Sequence, residues 1–186
     1  MLRFLFLLGF ISIGLSLLYS YIKVNGLRQS VIGKPTINTA IWIAGKILIF
    51  LPSVFILLKI AGWDVSMVRS PWWLEIIAAI IFIESVLLFC AALFHLGEST
   101  RVGLPEPGST PLKTSGLYAF SRNPIYLSLM ILGFSANLFV PHLLNLLFFM
   151  AGLLIHHYII LAEEQFLKTN FGTAWEQYRK NTGRYF

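Results

Sequence analysis

The run PIYLSLMILGFSANLFVPHLLNLLFFMAGLLIHHYIILA, residues 124–162, contains no Asp, Glu, Lys or Arg. In a soluble domain about a quarter of the residues are charged, so a bare stretch of this length is foreign to one. Crossing a bilayer takes about 20 helical residues, and this run is nearly long enough to cross twice. Val140-Pro141 stands near its middle. Segments 124–139 and 141–162 are therefore expected as the arms of a tight helical hairpin, with Pro141 in the first turn of the second arm.

Three further apolar segments precede the hairpin, at 2–22, 37–61 and 72–96. The chain is 57% hydrophobic and 12% charged, and its mean hydropathy is +0.77. These values describe an integral membrane protein. Backbone groups in lipid must find their partners within the span, and no alternation suggests a barrel, so the spans are helices. The expected fold is an all-α, polytopic bundle of about five spans. Residues 1–25 lack a small-residue cleavage site and are read as the first span, not as a signal peptide. Cys90 is the only cysteine, which excludes an intrachain disulfide and a cysteine metal cluster.

The net charge of +6 marks membrane orientation here, not nucleic acid. Lys23, Arg28 and Lys34 lie in one loop, Arg101, Lys113 and Arg122 in another, and Lys168, Arg179, Lys180 and Arg184 in the tail. Five spans put all three regions on one side, with Arg3 and Arg69 opposite. The positive-inside bias makes that side cytoplasmic, the C-terminus included, in a plasma (inner) membrane.

Chemistry-bearing residues gather on that side. Residues 97–123 hold Gly103, Pro105, Pro107, Gly108 and Pro111, an ordered loop by composition. Gly116 can admit a ligand close to the backbone, and Tyr118 and Phe120 can stack on a ring. Asn123-Pro124 reads as a helix N-cap followed by Pro at N1, with Arg122 a border cation and Tyr126 an interfacial aromatic. Glu163-Glu164 is expected to close the fifth span, with Glu164 pairing Lys168 at i,i+4. Adjacent glutamates diverge by about 100°, so one of them is expected to face inward. His156 and His157 each precede a glutamate by seven residues and share its face, offering a proton acceptor beside a carboxylate. His156, His157, Glu164 and Arg122 are thus the candidate catalytic residues. No compact set of three or four metal ligands is evident. His95 and His142 are read as border residues. Glu84 lies inside the third span, where a carboxylate is a functional candidate by default, and Lys46 is its expected partner. In the tail, positions 171, 174, 175 and 178 follow a helical spacing suited to a short interfacial helix that anchors the chain or caps a pocket.

These pieces together resemble the superfamily of isoprenylcysteine carboxyl methyltransferases and phospholipid methyltransferases. The likeness runs over roughly 95–186 through Leu112-Lys113-Thr114-Ser115-Gly116-Leu117-Tyr118, Arg122-Asn123-Pro124-Ile125-Tyr126, Glu163-Glu164 and Phe171-Gly172-Thr173-Ala174-Trp175. At this length a single domain, 1–186, is expected, with N-terminal helices in 1–94; the resemblance implies a cofactor-binding core in 95–186. It also implies S-adenosylmethionine as cofactor, drawn from the cytosol, and a lipophilic acceptor arriving through the membrane lipid. Position by position it implies cofactor contacts at Leu112, Lys113, Tyr118, Asn123, Pro124, Tyr126 and Glu163, to which Gly116 is added from its own reading. Thr110 and Pro111 fall where the family's cofactor loop begins without matching its residue types. Asn123 replaces the motif histidine and cannot titrate near neutral pH. Ile159 stands where the prenylcysteine enzymes hold the substrate carboxylate with an arginine, which points away from prenylated cysteine as the acceptor. No obligate protein partner is evident. The competing readings are a sterol- or steroid-type membrane reductase using a nicotinamide nucleotide, and a non-enzymatic lipid-binding protein.

Overall fold

The computed structural model describes residues 1–26, 33–97 and 111–186. Arg28, Arg101, Gly103, Pro105, Pro107, Gly108 and Thr110 lie outside the described residues. Five α-helices lie among the described residues: α1 (Leu2–Gly26), α2 (Thr39–Ile60), α3 (Trp72–Leu96), α4 (Pro124–Phe139) and α5 (Leu143–Asn181). Four of them, α1, α2, α3 and α5, are long and apolar enough to cross a membrane. The fifth, α4, has 16 residues, about 24 Å of helix at the standard rise.

The bundle is built by α3 against α1 and α4, and by α2 against α5 and α4. Phe6, Phe82 and Phe139 meet at its centre, with ring centroids 4.7 Å apart for Phe6–Phe82 and 4.4 Å for Phe6–Phe139. A second apolar cluster joins Ile49, Phe89, Leu93 and Leu129 nearer the other end. Outside this core, leucine, isoleucine and phenylalanine line the outer face of α1 and half of α3. Such exposure suits helices whose surroundings are lipid tails, which are as apolar as the side chains themselves.

Helices without a hydrophobic drive between them associate through close packing at small residues. At the α2–α5 crossing a methyl on Gly152 would stand 3.1 Å from the backbone N of Ile49 and 3.2 Å from its Cα. Pro52 in the next turn of α2 donates no backbone hydrogen bond, which loosens that helix where α5 presses on it. The short α4 ends inside the protein, and its last carbonyls are answered by side chains. Asn145 donates to Ala136 O and Val140 O at 3.2 and 3.0 Å, Ser70 to Leu138 O at 3.1 Å, and Lys59 to Phe139 O at 2.7 Å. Free carbonyls at a helix end would otherwise cost several kcal/mol each in a medium without water (about that order).

Four sequence expectations change here. The second arm of the hairpin begins at Leu143, not at Pro141. His142 is its N-cap, accepting from Leu144 N–H at 3.1 Å, while Pro141 lies in the linker, whose carbonyl accepts from Met67 N–H at 2.9 Å. The helix does not stop after residue 162; Glu163, Glu164, Gln165, Leu167 and Lys168 are good helix formers and carry α5 on to a bend at Gly172 (φ 49°). Lys168 therefore pairs across that bend with Glu176 at 3.3 Å instead of with Glu164. Glu84 is exposed on the outer face of α3 and has no partner among the described residues, because Lys46 turns toward α4.

Because backbone cannot yield as a side-chain tip can, Gly152→Ala is expected to push α2 off α5. The expected loss is about 1–3 kcal/mol, the usual cost of overpacking, seen as a lower thermal unfolding midpoint in detergent. Gly14→Ala, which meets nothing within 4 Å, is the matched control and should leave the midpoint unmoved.

Candidate functional site

The ends of α2, α4 and α5 meet at the side of the bundle that carries the loop residues from 111 onward and the C-terminal tail. Residues 111–115 run extended into a 3-10 turn, Gly116–Ala119. Gly116 enters that turn at φ +66°, a backbone that other residues rarely adopt. The space a side chain would take there is filled by the imidazole of His95, at the end of α3. The close approach predicted for Gly116 is thus made by His95, and the two anchor the turn to α3. Leu112 and Lys113 are half-buried just before it. Tyr118 is buried and Phe120 is exposed. Burial, with Tyr178 and Glu163 nearby, raises the Tyr118 phenol above its ordinary range, so it stays protonated.

Asn123 precedes Pro124 at N1 of α4, as expected, yet its side chain does not cap the helix. Its Nδ2 donates instead to Arg184 O at 3.3 Å. That contact belongs to a larger lock on the C-terminal tail. Arg122 N–H donates to Gly183 O at 3.0 Å, Thr182 Oγ1 to Ala119 O at 3.2 Å and Tyr178 O–H to Tyr118 O at 2.6 Å. The Arg122 guanidinium also donates to Thr182 O and lies 5.7 Å from the Trp175 ring. Trp175 and Tyr178 are buried, so the tail helix caps the turn 116–122 instead of lying free on the surface.

Glu164 is the centre of the lock. Arg122 donates to it from Nε and Nη2 at 3.1 and 2.9 Å, and Arg184 from Nε and Nη2 at 3.1 and 2.8 Å. The carboxylate holds the Arg184 guanidinium above its ordinary pKa, chiefly through these hydrogen bonds. His157, on the same face, meets Tyr185 O–H with Nδ1 at 3.0 Å. Two of the four candidate catalytic residues, Arg122 and Glu164, are thus bound to each other, and His157 is bound to the tail.

Glu163 turns the other way and is also engaged, because α4 covers its face of α5. Tyr126 O–H donates to Glu163 Oε1 at 2.7 Å, and Lys46 Nζ donates to the same Tyr126 oxygen at 3.2 Å. The Lys46 ammonium stands 4.8 Å from the Tyr126 ring centroid and 5.5 Å from that of Trp42. His156 is fully buried one ring away, its centroid 5.5 Å from that of Tyr126. Its Nδ1 lies 2.9 Å from Gly152 O, so Nδ1 carries the proton and Nε2 holds a lone pair. Nε2 of His156 and Nε1 of Trp42 are both buried without a partner among the described residues. Buried polar atoms are nearly always satisfied, so an orphaned nitrogen on the ring beside Tyr126 and another on the ring beside Lys46 leave acceptor and donor capacity there; Thr36 Oγ1, Ser53 Oγ and Asn145 Oδ1 are likewise unpartnered.

Sequence reasoning brings together Tyr126, Glu163 and His156, and the structure places them side by side. It misses Trp42 and Lys46 on α2 as members of the site, and Arg184 and Tyr185 in the tail. Lys46 and Trp42 carry a usable signal: a lysine deep in an apolar run with an aromatic four residues before it shares one helix face with that ring. The tail residues follow the end of a helix and carry none.

Removing the charge of Glu164 leaves two arginines facing each other without a counter-charge, a loss of about 3–5 kcal/mol by the usual cost of breaking a buried pair. Glu164→Gln is expected to free the tail, so that trypsin cuts after Arg184 at least several-fold faster than in the parent chain.

A family model described as phospholipid methyltransferase matches residues 73–174, from the start of α3 to just beyond the bend in α5. No curated protein matches the chain. The match takes in Tyr126, His156, Glu163 and the 3-10 turn and covers more than half of the sequence, so the chain belongs to the phospholipid methyltransferase family and is a helical membrane methyltransferase.

Proposed function

We propose that the protein transfers a methyl group from S-adenosylmethionine to a lipophilic acceptor that reaches the site from within the bilayer. One observation carries this reading. Glu163 is fixed by the Tyr126 hydroxyl at 2.7 Å, and among the described residues its second oxygen accepts no hydrogen bond. Lys46, held by the same hydroxyl, opens on a shallow apolar groove of about 650 Å³ whose lining, Trp42 to Val54, lies wholly on α2.

The residues fit the cofactor. A carboxylate with a free oxygen at a membrane border suits a ligand carrying positive charge, and the orphaned Trp42 and His156 nitrogens can meet polar edges of the same guests. When bound, S-adenosylmethionine supplies a methyl group already activated on a positively charged sulfur. The protein's share is then positioning, exclusion of water and balance of charge. Glu163 balances the positive charge, and Tyr126 fixes the carboxylate's rotamer. Tyr118, Leu112, Lys113, Asn123 and Pro124 form the wall through which the donor is reached from the aqueous side. Where the acceptor atom carries a proton, the lone pair on His156 Nε2 receives it. Arg122, Glu164 and His157 act by holding the tail over the site. Residues 95–186 form the core of this arrangement, and 1–94 supply Trp42 and Lys46 of α2 together with the walls facing the lipid.

The charge distribution supports an aqueous side that is cytoplasmic. Lys23, Lys34, Lys113, Lys168, Arg179, Lys180 and Arg184 gather at the site end. At the opposite end Lys59 is matched by Glu75 at 2.8 Å and Asp64 at 3.8 Å.

Glu163→Gln and Tyr126→Phe are each expected to weaken S-adenosylmethionine binding by about tenfold or more, the scale of one charge-assisted hydrogen bond. Calorimetry on the detergent-solubilised chain reads this directly, with a nicotinamide nucleotide as comparison ligand. Equal affinity in parent and variants, or preference for the nucleotide, would sink the assignment. Labelled-methyl transfer into a lipid extract, followed by mass identification, then names the product.

A further inference from the structure

We propose that Lys46 selects the methyl acceptor by binding an oxyanion on it, a carboxylate or a phosphate, while the acceptor's apolar chain lies in the groove along α2. This rests on the methyltransferase reading above. Lys46 lies outside residues 73–174, so the family match assigns it nothing.

The groove is lined by Trp42, Ile43, Lys46, Ile47, Phe50 and Leu51, continuing to Val54. Lys46 is the sole charged side chain in that lining. It is half-buried, with its ammonium against Tyr126 and Trp42. An ammonium has three N–H donors, and among the described residues only the Tyr126 oxygen accepts from it. Hydrocarbon accepts none. Glu163 is reached through the Tyr126 hydroxyl and not as a direct ion pair.

Lys59, thirteen residues further along the same helix, shows how this fold treats a lysine it means to retire. Its ammonium is met by Glu75 at 2.8 Å, by Phe139 O at 2.7 Å and by Asp64 at 3.8 Å. Lys46 has no such set and opens on the groove instead. A charge left short of partners in lipid implies a partner that comes and goes.

The direction of the groove fits a lipid. Lys46 is seven residues into α2, about 10 Å below its start, and Val54 is about 12 Å deeper. The charged end therefore sits near the border and the apolar wall runs inward, as the head and chain of a membrane lipid do. The Tyr126 hydroxyl then separates two charges of opposite sign: Glu163 for a cationic donor, Lys46 for an anionic acceptor. Each retains unused hydrogen-bonding capacity because the hydroxyl keeps them from neutralising one another.

The test uses the full chain in phosphatidylcholine nanodiscs at mildly alkaline pH, with radiolabelled palmitate, hexadecyl phosphate and hexadecanol as probes. The parent is expected to hold at least one of the two anions about tenfold more tightly than the alcohol, the worth of one charged hydrogen bond. Palmitate alone, phosphate alone or both tells which oxyanion is taken. Lys46→Gln should bring the preferred anion down to the level of the alcohol, and Lys46→Arg should restore the preference. A parent that holds the alcohol as tightly as both anions overturns the proposal, as does a Lys46→Gln chain that keeps the anion preference. S-adenosylmethionine affinity, measured in the same discs, separates this from the reading it builds on. Intact cofactor binding without anion preference sinks the role of Lys46 alone, whereas anion preference lost on Lys46→Gln in a chain that never binds the cofactor sinks methyl transfer alone.

Discussion

Three helices meet at one hydroxyl group. Tyr126 on α4 donates to Glu163 on α5 and accepts from Lys46 on α2. In a medium of low dielectric, a carboxylate and an ammonium in direct contact would neutralise each other and leave little for a ligand. A hydroxyl between them satisfies one lone pair of the first and one donor of the second. The rest of each group's valence stays available. Such a relay is also polarised from both sides, which strengthens both hydrogen bonds. The site is therefore a pair of charges held apart by one hydroxyl.

The two neighbouring glutamates show that saturation, more than location, separates holding from acting. Both stand on α5 and both are engaged by other parts of the chain. Glu164 receives four hydrogen bonds from two arginines, and every one of them ties a distant segment to α5. A carboxylate so fully occupied has nothing left to offer a substrate. Glu163 receives one hydrogen bond. The same distinction divides the two histidines. His157 meets the tail through Tyr185, while His156, with Nδ1 on Gly152 O, leaves Nε2 free and dry.

Much of this could be read from the sequence where one segment decides its own structure. The uncharged run 124–162 had to be a helical hairpin, and Pro124 had to open its first helix. Long-range choices were a different matter. Pro141 loses the N1 position because His142 can cap and because Met67, more than seventy residues away, holds the linker. By sequence Glu84 was the expected partner of Lys46. Only the crossing of α2 over α5, with α4 alongside, turns it to Tyr126 and so toward Glu163. Arg184 lies beyond the end of α5, outside any helical period, so nothing local foretells that it folds back to Glu164, an acceptor twenty positions upstream.

The spacing on α2 explains why the helix must hold two lysines at all. Lys46 and Lys59 are thirteen residues apart, and so are the two α4 positions they grip, the hydroxyl of Tyr126 and the carbonyl of Phe139. Both helices run from the site end toward the far end. Equal spacing on parallel helices lets α2 clamp the short α4 at both its ends, over about 20 Å. The far clamp is closed by acids and cannot be exchanged. It fixes where α4 begins as well as where it ends, since a helix of constant rise carries the anchoring at Phe139 up to Tyr126. The near clamp can then afford an open face. A lysine bound at every donor would hold α4 as well, yet only one left incomplete can hold α4 and still receive an anion from the membrane.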